Sequence, residues 1–368
     1  MNALADLDFH TLTIPFRQRF SHASASRDAT ASVWVTATTR AGHVGYGEAC
    51  PRPYVTGETL DSARVFFHAV RDDVLANIRD AASLADWVTH HAARIDAAPA
   101  AWCAIELALI DALARDANQT AEAWLGLPET TGEFRYSAVL GDAPPGFFAA
   151  NFARYRAAGF TDYKLKLVGD LTRDRAKLAV LDDPAVARLR LDANNLWNDA
   201  NAALAYLDAL GAPAFAVEEP LAVERAAELP RLARALDTAI ILDESLTRIE
   251  QLAALEPGVR WIANLRVSKL GGLTRTLALL DAARARGVGI IVGAQVGETS
   301  LLTRAGLTVA HAAGTALLAQ EGAFGTQLLY GDVITPSLMF GMGGWLDFTA
   351  AGAGWGLACA PEEAWLGP

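Results

Sequence analysis

The chain has little of what disulfide-rich, secreted and membrane-spanning proteins need. Its 368 residues include only three cysteines, at positions 50, 103 and 359, and none of them forms a CxxC pair. This argues against a disulfide framework and a cysteine zinc site, and it predicts a reducing, cytoplasmic environment. No apolar run reaches the roughly 18 residues that a membrane helix needs. The first eight residues hold two aspartates and no lysine or arginine, unlike a secretory signal.

Positive charge is also scarce. The 31 lysines and arginines are outnumbered by 42 aspartates and glutamates, which gives a net charge of -11. Such a surface repels phosphate backbones, so nucleic acid is not an expected partner. A membrane is not an expected partner either, because no apolar run is long enough to span one. Hydrophobic residues make up 52% of the chain, enough for a large core. The length predicts two domains, or one large barrel with additions.

The first part of the chain has strand patterns followed by helix patterns. Residues 32–39 alternate between apolar and polar types, and Val44-Gly-Tyr-Gly-Glu48 continues an antiparallel arrangement. From about residue 60 the pattern becomes helical, and residues 101–114 form the clearest amphipathic helix. Strands followed by helices indicate an α+β module, which we assign to residues 1–126.

After residue 126 a strand-plus-helix unit repeats eight times. The predicted strands end near residues 140, 166, 192, 218, 243, 266, 293 and 320, so the steps are 23 to 27 residues. Eight such units predict a closed (β/α) barrel over residues 127–342. An open doubly wound sheet is disfavoured because no GxGxxG motif follows the first strand. The segment 343–368 lacks the repeat, and we expect it to pack on the N-terminal module.

Ionisable residues gather at the strand ends, where such barrels carry their chemistry. Lys164 and Lys166 end the second strand and point to the same side. The next three strands end with Asp192, Glu218 and Asp243 at matching depth. Three converging carboxylates repel one another unless a cation binds between them. Oxygen-only ligands favour Mg²⁺, or Mn²⁺, over zinc.

Each of these signals has a plainer structural alternative when it is taken alone. An aspartate at a strand end often caps the next helix. Lys164 could form a salt bridge with Asp192 or Glu218 at the barrel rim. The ordered set of lysines and acids at successive strand ends is harder to explain in that way, and it favours a metal-assisted active site.

The motifs together resemble those of the enolase superfamily, and most of all its muconate lactonizing enzyme subgroup, which also holds dipeptide epimerases and o-succinylbenzoate synthases. The resemblance covers nearly the whole chain. It is carried by Val44–Ala49, Ala104–Leu113, Leu125-Gly126, Lys164-Leu-Lys166, Asp192-Ala-Asn194, Glu218-Glu-Pro220, Asp243-Glu-Ser245 and Gly271-Gly272. The absence of a His-Asp dyad on the last strands points away from the mandelate racemase subgroup.

The resemblance implies a fold and a site. The fold would be an α/β modified TIM barrel with an N-terminal α+β capping domain, completed by the C-terminal segment. Asp192, Glu218 and Asp243 would bind Mg²⁺, Lys166 would be the catalytic base, and Lys164 would be its neighbour. The substrate would be a small-molecule carboxylate, and the enzyme would be a homo-oligomer.

The shared reaction of that superfamily is removal of the proton α to a carboxylate, which gives an enediolate. A divalent ion on the two oxygens stabilises the charge as it develops. The base must be neutral, whereas an ordinary lysine has a pKa of about 10.4. A second lysine and a divalent ion nearby both disfavour the ammonium form. Lys164 would therefore help to keep Lys166 neutral and would contact the carboxylate.

One position departs from the family pattern. Relatives with acid/base groups on both faces of the substrate carry a Lys-x-x-Lys motif at the sixth strand, where this chain has Arg266-Val-Ser-Lys269. Arginine keeps its proton and is a poor base. The sequence therefore favours a one-base lyase, dehydratase or cycloisomerase with Arg266 as a fixed cation. The alternatives are a dipeptide or N-acyl amino acid racemase or epimerase that uses Lys166 and Lys269, a catalytically silent ligand-binding barrel, and a phosphate-binding barrel.

Substrate contacts are expected from two places. The cap loops offer His22, Arg52 and Tyr54, and an arginine there would suit a second anionic group. The strand ends offer further polar side chains, namely Asn194, Gln295, Glu298 and Glu321. Glu298 could pair with Arg266, act as an acid or bind a substrate cation.

Overall fold

A computed structural model of the chain describes residues 3–22 and 25–368, with the side chains of residues 19–26 outside that description. The strands are β1 Leu4–Leu12, β2 Pro15–His22, β3 Ala25–Ala29, β4 Ser32–Thr39, β5 Val44–Ala49, β6 Thr131–Arg135, β7 Ala138–Leu140, β8 Asp162–Lys166, β9 Arg188–Asp192, β10 Ala216–Glu218, β11 Ala239–Leu242, β12 Trp261–Leu265, β13 Gly289–Val292, β14 Leu317–Gln320, β15 Trp345–Thr349 and β16 Leu366–Gly367.

The helices follow the predicted segments. They are α1 Leu60–Asn77, α2 Ala81–His90, α3 Ala92–Ala97, α4 Pro99–Asp116, α5 Ala121–Trp124, α6 Pro145–Ala157, α7 Leu171–Leu181, α8 Ala200–Leu210, α9 Leu229–Leu236, α10 Val267–Leu270, α11 Leu273–Ala285 and α12 Ser300–Ala313. Short 3-10 turns lie at Val223–Glu228, Ile249–Ala254, Gly314–Ala316, Gly325–Gln327, Met342–Gly344 and Glu363–Trp365.

Eight parallel strands, β7 to β14, pair in chain order and form the catalytic-domain sheet. The Ser137 amide, just before β7, donates to the Gln320 carbonyl at the end of β14 over 2.8 Å, so the first and last strands meet. The predicted barrel is therefore confirmed as a curled eight-stranded parallel sheet. The first predicted strand is different, because residues 134–140 divide into β7 and β6, which pairs outside the barrel with β15.

The N-terminal module is an antiparallel sheet of β16, β1, β4 and β5, covered by α4. Glycines in β5 allow this close packing, because a Cβ atom at Gly47 would lie 1.9 Å from the Ala104 carbonyl oxygen of α4. The sequence predicts an amphipathic α4, but residues 99–114 are buried on all sides. Helix α4 lies between the antiparallel sheet and α10 and α11 of the barrel, so it has no solvent face over this stretch.

The C-terminal segment returns to both parts of the chain. Strand β15 pairs with β6, and β16 pairs with β1 through Thr11 and Gly367. The Trp355 indole donates to the Leu107 carbonyl of α4 over 3.1 Å. The end of the chain therefore contacts the N-terminal module through both a sheet edge and α4.

Two buried glutamates of the N-terminal module contact the starts of barrel helices. Glu48 of β5 accepts from the backbone amide of Thr299, which caps α12. Glu106 of α4 accepts from the amide of Thr274 in the first turn of α11. Amide N–H groups in the first turn of a helix lack a partner within the helix, so these carboxyl oxygens satisfy them and orient the cap on the barrel. A Cβ atom at Gly272 would lie 2.2 Å from Glu106, which explains the small residue there.

Among residues 3–22 and 25–368, no helix is both long enough and apolar enough to cross a membrane.

Candidate active site

The strand register places the predicted lysines and acids at one end of the barrel. Lys166 at the end of β8 pairs with Asp192 of β9, and Asp192 pairs with Glu218 of β10. Glu218 pairs with Ile241, so Asp243 lies two residues farther along on the same face. The sequence predicts equal depth for the three acids. The register differs because the strands of a closed sheet are staggered.

Lys164 is buried among three carboxylates. Its Nζ atom lies 3.1 Å from Asp192 Oδ2, 3.1 Å from Glu218 Oε2 and 2.7 Å from Glu321 Oε2. Burial alone would lower the pKa of Lys164, but these carboxylates outweigh burial and raise it above its ordinary value. Lys164 thus forms the salt bridges with Asp192 and Glu218 that the plainer alternative predicts. With these partners the Lys164 side chain is a fixed cation.

Lys166 lies nearer the open end of the site. Its Nζ atom is 3.0 Å from Asp192 Oδ2 and 2.9 Å from Asn194 Oδ1, and 13% of the side chain is exposed. Asn194 has a left-handed backbone, with φ of 46°. Asn194 therefore accepts a hydrogen bond from the candidate base. Its predicted role as a substrate contact stays a prediction.

The other two acids face the sixth strand. Glu218 Oε1 accepts from Asn264 Nδ2 over 2.9 Å, and Arg266 Nη2 lies 3.9 Å from the same oxygen. Asp243 accepts from the Arg266 guanidinium and, over 2.9 Å, from Lys269. Each neighbouring pair of acids is therefore linked through a shared cationic side chain.

The donor chemistry of the three acids fits a divalent cation. All are carboxylates, and all are almost completely buried. Burial raises the pKa of Glu218, Lys164 opposes the shift, and the charges of Asp192, Glu321 and Asp243 add to it, so that the pKa lies at about 8. A dication would relieve that repulsion. In the part of the chain that the structure describes, no three acid, imidazole or thiol groups converge closely enough to hold a metal ion, so the threefold cluster stays a prediction.

Arg266 and Lys269 occupy different positions although they are one helical turn apart. Arg266 lines the cavity, donates to Gln295 Oε1 over 3.2 Å, and keeps its proton because Asp243, Glu244 and Glu218 raise its pKa against the effect of burial. Lys269 is fully buried and donates to Asp243 and to the Asn264 carbonyl. Lys269 does not line the cavity, so its contacts are those of a structural cation.

A cavity of about 340 Å³ opens above these groups. Its lining includes seven of the fourteen predicted site residues, which are Tyr54, Lys164, Lys166, Asn194, Arg266, Gln295 and Glu321. Glu321 is not free for a substrate cation, because its oxygens lie 2.7 Å from Lys164 and 2.8 Å from Arg190. The side chain of His22 lies outside the described part of the structure.

Two predicted substrate contacts have structural partners instead. Arg52 is fully buried and donates over 2.8 Å to the carbonyls of Ala31, Pro51 and Val296. Glu298 accepts from the Gln295 amide over 2.6 Å, and burial raises its pKa to about 8. The Nη1 and Nη2 atoms of Arg52 therefore bind the backbone that joins the cap loop to the barrel, whereas Nε has no partner, and binding of a substrate anion by Arg52 stays a prediction.

Sequence reasoning missed several polar groups around the Arg266 side. Glu244 lines the cavity, and Asn264 supports Glu218 from an otherwise apolar strand. A single asparagine in Trp-Ile-Ala-Asn-Leu was the available signal for the latter. Among the described residues, Arg266 Nε and Gln295 Nε2 are buried donors without a partner. Unpaired buried donors beside a cavity are typical of a ligand site.

Comparisons with known proteins agree with this architecture. A family model described as "Mandelate racemase / muconate lactonizing enzyme, N-terminal domain" matches residues 10–126, and one described as "Enolase C-terminal domain-like" matches residues 148–363. Together they cover most of the chain. The family resemblance that the motifs indicated is therefore confirmed.

Similar proteins include two epimerases. The chain is 30% identical to an L-Lys-D/L-Arg epimerase of Methylococcus capsulatus over 87% of this chain and 90% of that protein. It is 28% identical to an aromatic dipeptide epimerase of Herpetosiphon aurantiacus over 77% of this chain and 80% of that protein.

A solved structure supports the fold. It is that of a dipeptide epimerase from Enterococcus faecalis V583 in complex with Mg and the dipeptide L-Leu-L-Tyr. The TM-score is 0.84 at 23% identity, and the match covers 96% of this chain and 99% of that chain. The protein is therefore an enzyme that belongs to the mandelate racemase/muconate lactonizing enzyme family of the enolase superfamily.

Proposed function

We propose that the protein is a Mg²⁺-dependent enzyme that removes the proton α to the carboxylate of a small acid, with Lys166 as its only base. The observation that carries this proposal is that Lys166 and Arg266 line the same cavity. Lys166 ends β8 and Arg266 directly follows β12, and these strands are four positions apart in the curled eight-stranded sheet, which favours entry of the two side chains from opposite sides of the cavity.

Asp192, Glu218 and Asp243 would hold the ion. When bound, Mg²⁺ would supply positive charge that favours the developing enediolate. The oxygen-only donor set also suits Mn²⁺. A family member of similar fold was crystallised with Mg and a dipeptide, which supports the choice of metal.

Each remaining side chain has a role set by its contacts. Lys166 takes the α proton, and Asn194 and Asp192 hold its amine in place, 2.9 Å and 3.0 Å away. Lys164 stays charged and stabilises the extra negative charge of the enediolate. Arg266 contributes a second fixed charge from the other side of the cavity.

The presence of one base, Lys166, and one fixed cation, Arg266, predicts whether the reaction inverts the α carbon. A racemase or epimerase needs one group that gives a proton and another that takes one, on opposite faces of the substrate. Arg266 does not exchange its proton readily, because its pKa lies above the already high ordinary value of arginine. A single base favours elimination of a leaving group next to the α carbon, or cycloisomerisation.

Epimerisation is the second candidate function, because the relatives described above are epimerases acting on dipeptides or amino acids. The two candidates differ at one atom. An epimerase adds a solvent hydrogen to the α carbon from the face opposite to Lys166. A one-base enzyme adds the hydrogen from the Lys166 face, or adds none.

The experiment is α-proton exchange in D₂O with Mg²⁺, followed by NMR and chiral chromatography on dipeptides, N-acyl amino acids, acid sugars and lactones. We expect exchange or elimination without inversion, and its loss in Lys166→Ala. Deuterium in the inverted product would establish the epimerase instead. Full activity of Lys166→Ala, or no Mg²⁺-dependent turnover of any acid, would contradict the assignment of the base and favour a ligand-binding barrel.

A further inference from the structure

Glu219 directly follows the candidate metal ligand Glu218, and no step of the proposed chemistry uses it. It lies just beyond the end of β10, it is 1% exposed, and it is not among the described residues that line the cavity. A buried carboxylate is costly unless both of its oxygens have hydrogen-bond partners. The partners of Glu219 come from the two neighbouring strand ends.

One carboxylate oxygen of Glu219 binds the backbone that follows β11. Glu219 Oε1 accepts from the Asp243 amide over 2.6 Å, from the Ser245 amide over 2.8 Å and from the Ser245 hydroxyl over 2.6 Å. Asp243 is itself a candidate metal ligand. The Glu219 carboxylate therefore fixes the backbone from which that ligand extends.

The other side of Glu219 faces the loop after β9. Its Oε2 atom lies 3.3 Å from Asn195 Nδ2, and its backbone carbonyl accepts from the Asn195 amide over 2.8 Å. This loop begins directly after Asp192, the third candidate ligand. Glu219 therefore links the ends of β9, β10 and β11, which are the three strands that carry the proposed ligands.

The backbone at these strand ends is strained. Glu219 has a φ of 37°, and the facing residues Asn194 and Asn195 have φ of 46° and 61°. Residues other than glycine seldom adopt this left-handed region. Such strain persists only where the surrounding contacts hold it, and it is concentrated at functional sites. The Glu219 amide also donates to the Ile241 carbonyl over 3.1 Å, so its backbone and its side chain are both fixed.

These contacts hold together strand ends whose side chains repel one another. Asp192, Glu218 and Asp243 are almost completely buried, and carboxylates of like charge favour separation when no cation lies between them. Hydrogen bonds from Glu219 to the neighbouring backbone oppose that separation. Ligands that are already in place lose less freedom when an ion binds, so the affinity for the ion is higher.

We propose that Glu219 is a positioning residue, which holds the ends of β9, β10 and β11 together and so presents Asp192, Glu218 and Asp243 to Mg²⁺. The proposal rests on the proposed function, which assigns the ion to these three carboxylates. The oxygens of Glu219 already accept from amide and hydroxyl donors. Glu219 therefore acts through the geometry of the ligands and not as a fourth ligand.

Two substitutions of Glu219 separate this geometric effect from an effect of charge. Glu219→Asp keeps the charge but is one methylene shorter, so its carboxylate cannot keep its contacts with Asp243 and Ser245. Glu219→Gln loses the charge but keeps an oxygen that can accept from the same donors. In calorimetric titration with Mg²⁺, we expect Glu219→Asp to weaken binding by about tenfold and Glu219→Gln to weaken it less. The reverse order would show that charge matters and geometry does not, which would overturn the proposal.

Ser245→Ala is a second variant that leaves residue 219 unaltered. It removes one donor to Glu219 Oε1 and changes no charge, so it should weaken Mg²⁺ binding by about threefold. This variant decides the question if Glu219→Asp does not fold, as judged by circular dichroism. Unchanged affinity in Ser245→Ala would then contradict the proposal.

Asp199→Ala is the matched control for stability. The exposed Asp199 caps α8 and accepts from the amides of Asn201 and Ala202. Its loss should lower the melting temperature of the metal-free protein, because two amides of the helix lose their partner. Its Mg²⁺ affinity should equal that of the unaltered protein, since Asp199 contacts none of the three ligand-bearing strand ends.

The same measurements separate this proposal from the proposed function. If Glu219→Asp lowers the metal-free melting temperature, as Asp199→Ala does, but binds Mg²⁺ as the unaltered protein does, Glu219 is only structural. The positioning role is then wrong and the proposed function stands. If the unaltered protein does not bind Mg²⁺, the proposed function fails, and the positioning role fails with it.

Discussion

The Lys269 ammonium lies 2.9 Å from the Asp243 carboxylate, and both side chains are completely buried. Lys269 also donates to the carbonyl oxygens of Asp243 and Asn264, so all three of its N–H bonds are used. A base needs a free lone pair beside the substrate, and this amine has neither access nor an unused direction. These contacts hold Asp243 in place, and the use of Lys269 as a second base stays a prediction.

The first prediction follows from this pair. Lys269→Met leaves the Asp243 carboxylate without one of its cations, so the free energy of unfolding should fall by about 3–5 kcal/mol. Lys166→Met should change stability far less, because that side chain is partly exposed, but it should reduce α-proton exchange by about 10²–10⁴-fold. Urea unfolding and exchange in D₂O measure the two effects. Exchange that survives in Lys166→Met but not in a folded Lys269 variant would reverse the assignment.

The second prediction concerns the side of the cavity opposite Lys166. Arg266→Lys retains a cation beside Asp243 and Gln295, but the lysine can lose its proton far more readily than arginine. We therefore expect this variant to gain racemisation of an acid that the unaltered enzyme exchanges without inversion. Chiral chromatography of the recovered acid measures the change.

Arg266→Gln is the control for that substitution, since it removes the charge and offers no base. It should lower exchange and add no inversion. If the unaltered enzyme already inverts its substrate, Arg266 is not a barrier to two-sided chemistry.

Much of the barrel was predictable because two local regularities determine it. The spacing of 23 to 27 residues between strand ends fixes the repeat, and alternation fixes which side chains enter the barrel. This is why Lys164, Lys166, Asn194 and Glu321 are found at the cavity. The division of residues 134–140 between two sheets was not predictable, because it depends on β15, which is more than 200 residues away.

The loop residues were harder for a similar reason. Arg52 is an arginine in a cap loop, which is typical of an anion-binding residue. Its partners nevertheless include the Val296 carbonyl, which becomes available only when the cap docks on the barrel. The stagger of Asp243 relative to Glu218 is likewise a property of the closed sheet. Contacts that depend on how distant elements dock are absent from local patterns.

The third prediction concerns the metal. Chelation should lower the melting temperature, because an ion that binds only the folded protein stabilises it by about 2.7 kcal/mol at 100 times its dissociation constant. Glu218→Gln should weaken Mg²⁺ binding by at least about tenfold. Calorimetric titration with Mg²⁺ measures the affinity. Glu224→Gln, on an exposed 3-10 turn, should bind Mg²⁺ as the unaltered protein does. Unchanged affinity in Glu218→Gln would exclude this carboxylate as a ligand.

The fourth prediction concerns the contact between the cap and the barrel. Burial raises the pKa of Glu106 from 4.5 to about 7, although hydrogen bonds from Thr274 and from the Leu273 amide oppose the shift. The folded protein therefore binds a proton between these values that the unfolded chain has already released. The stabilising contribution of the protonated carboxyl is present at acidic pH and is lost as the pH rises through about 7.

Glu106→Gln should reduce this decline, because an amide cannot ionise and can still accept from the Thr274 amide and donate to its hydroxyl. The melting temperature, measured from pH 5 to pH 8, should fall less steeply in the variant than in the unaltered protein. Part of the decline should remain, since burial also raises the pKa of Glu48 to about 7. Glu224→Gln serves as the exposed control and should leave the slope unchanged. If Glu106→Gln and Glu224→Gln give the same slope, the carboxyl that orients α11 is not titrating in this range.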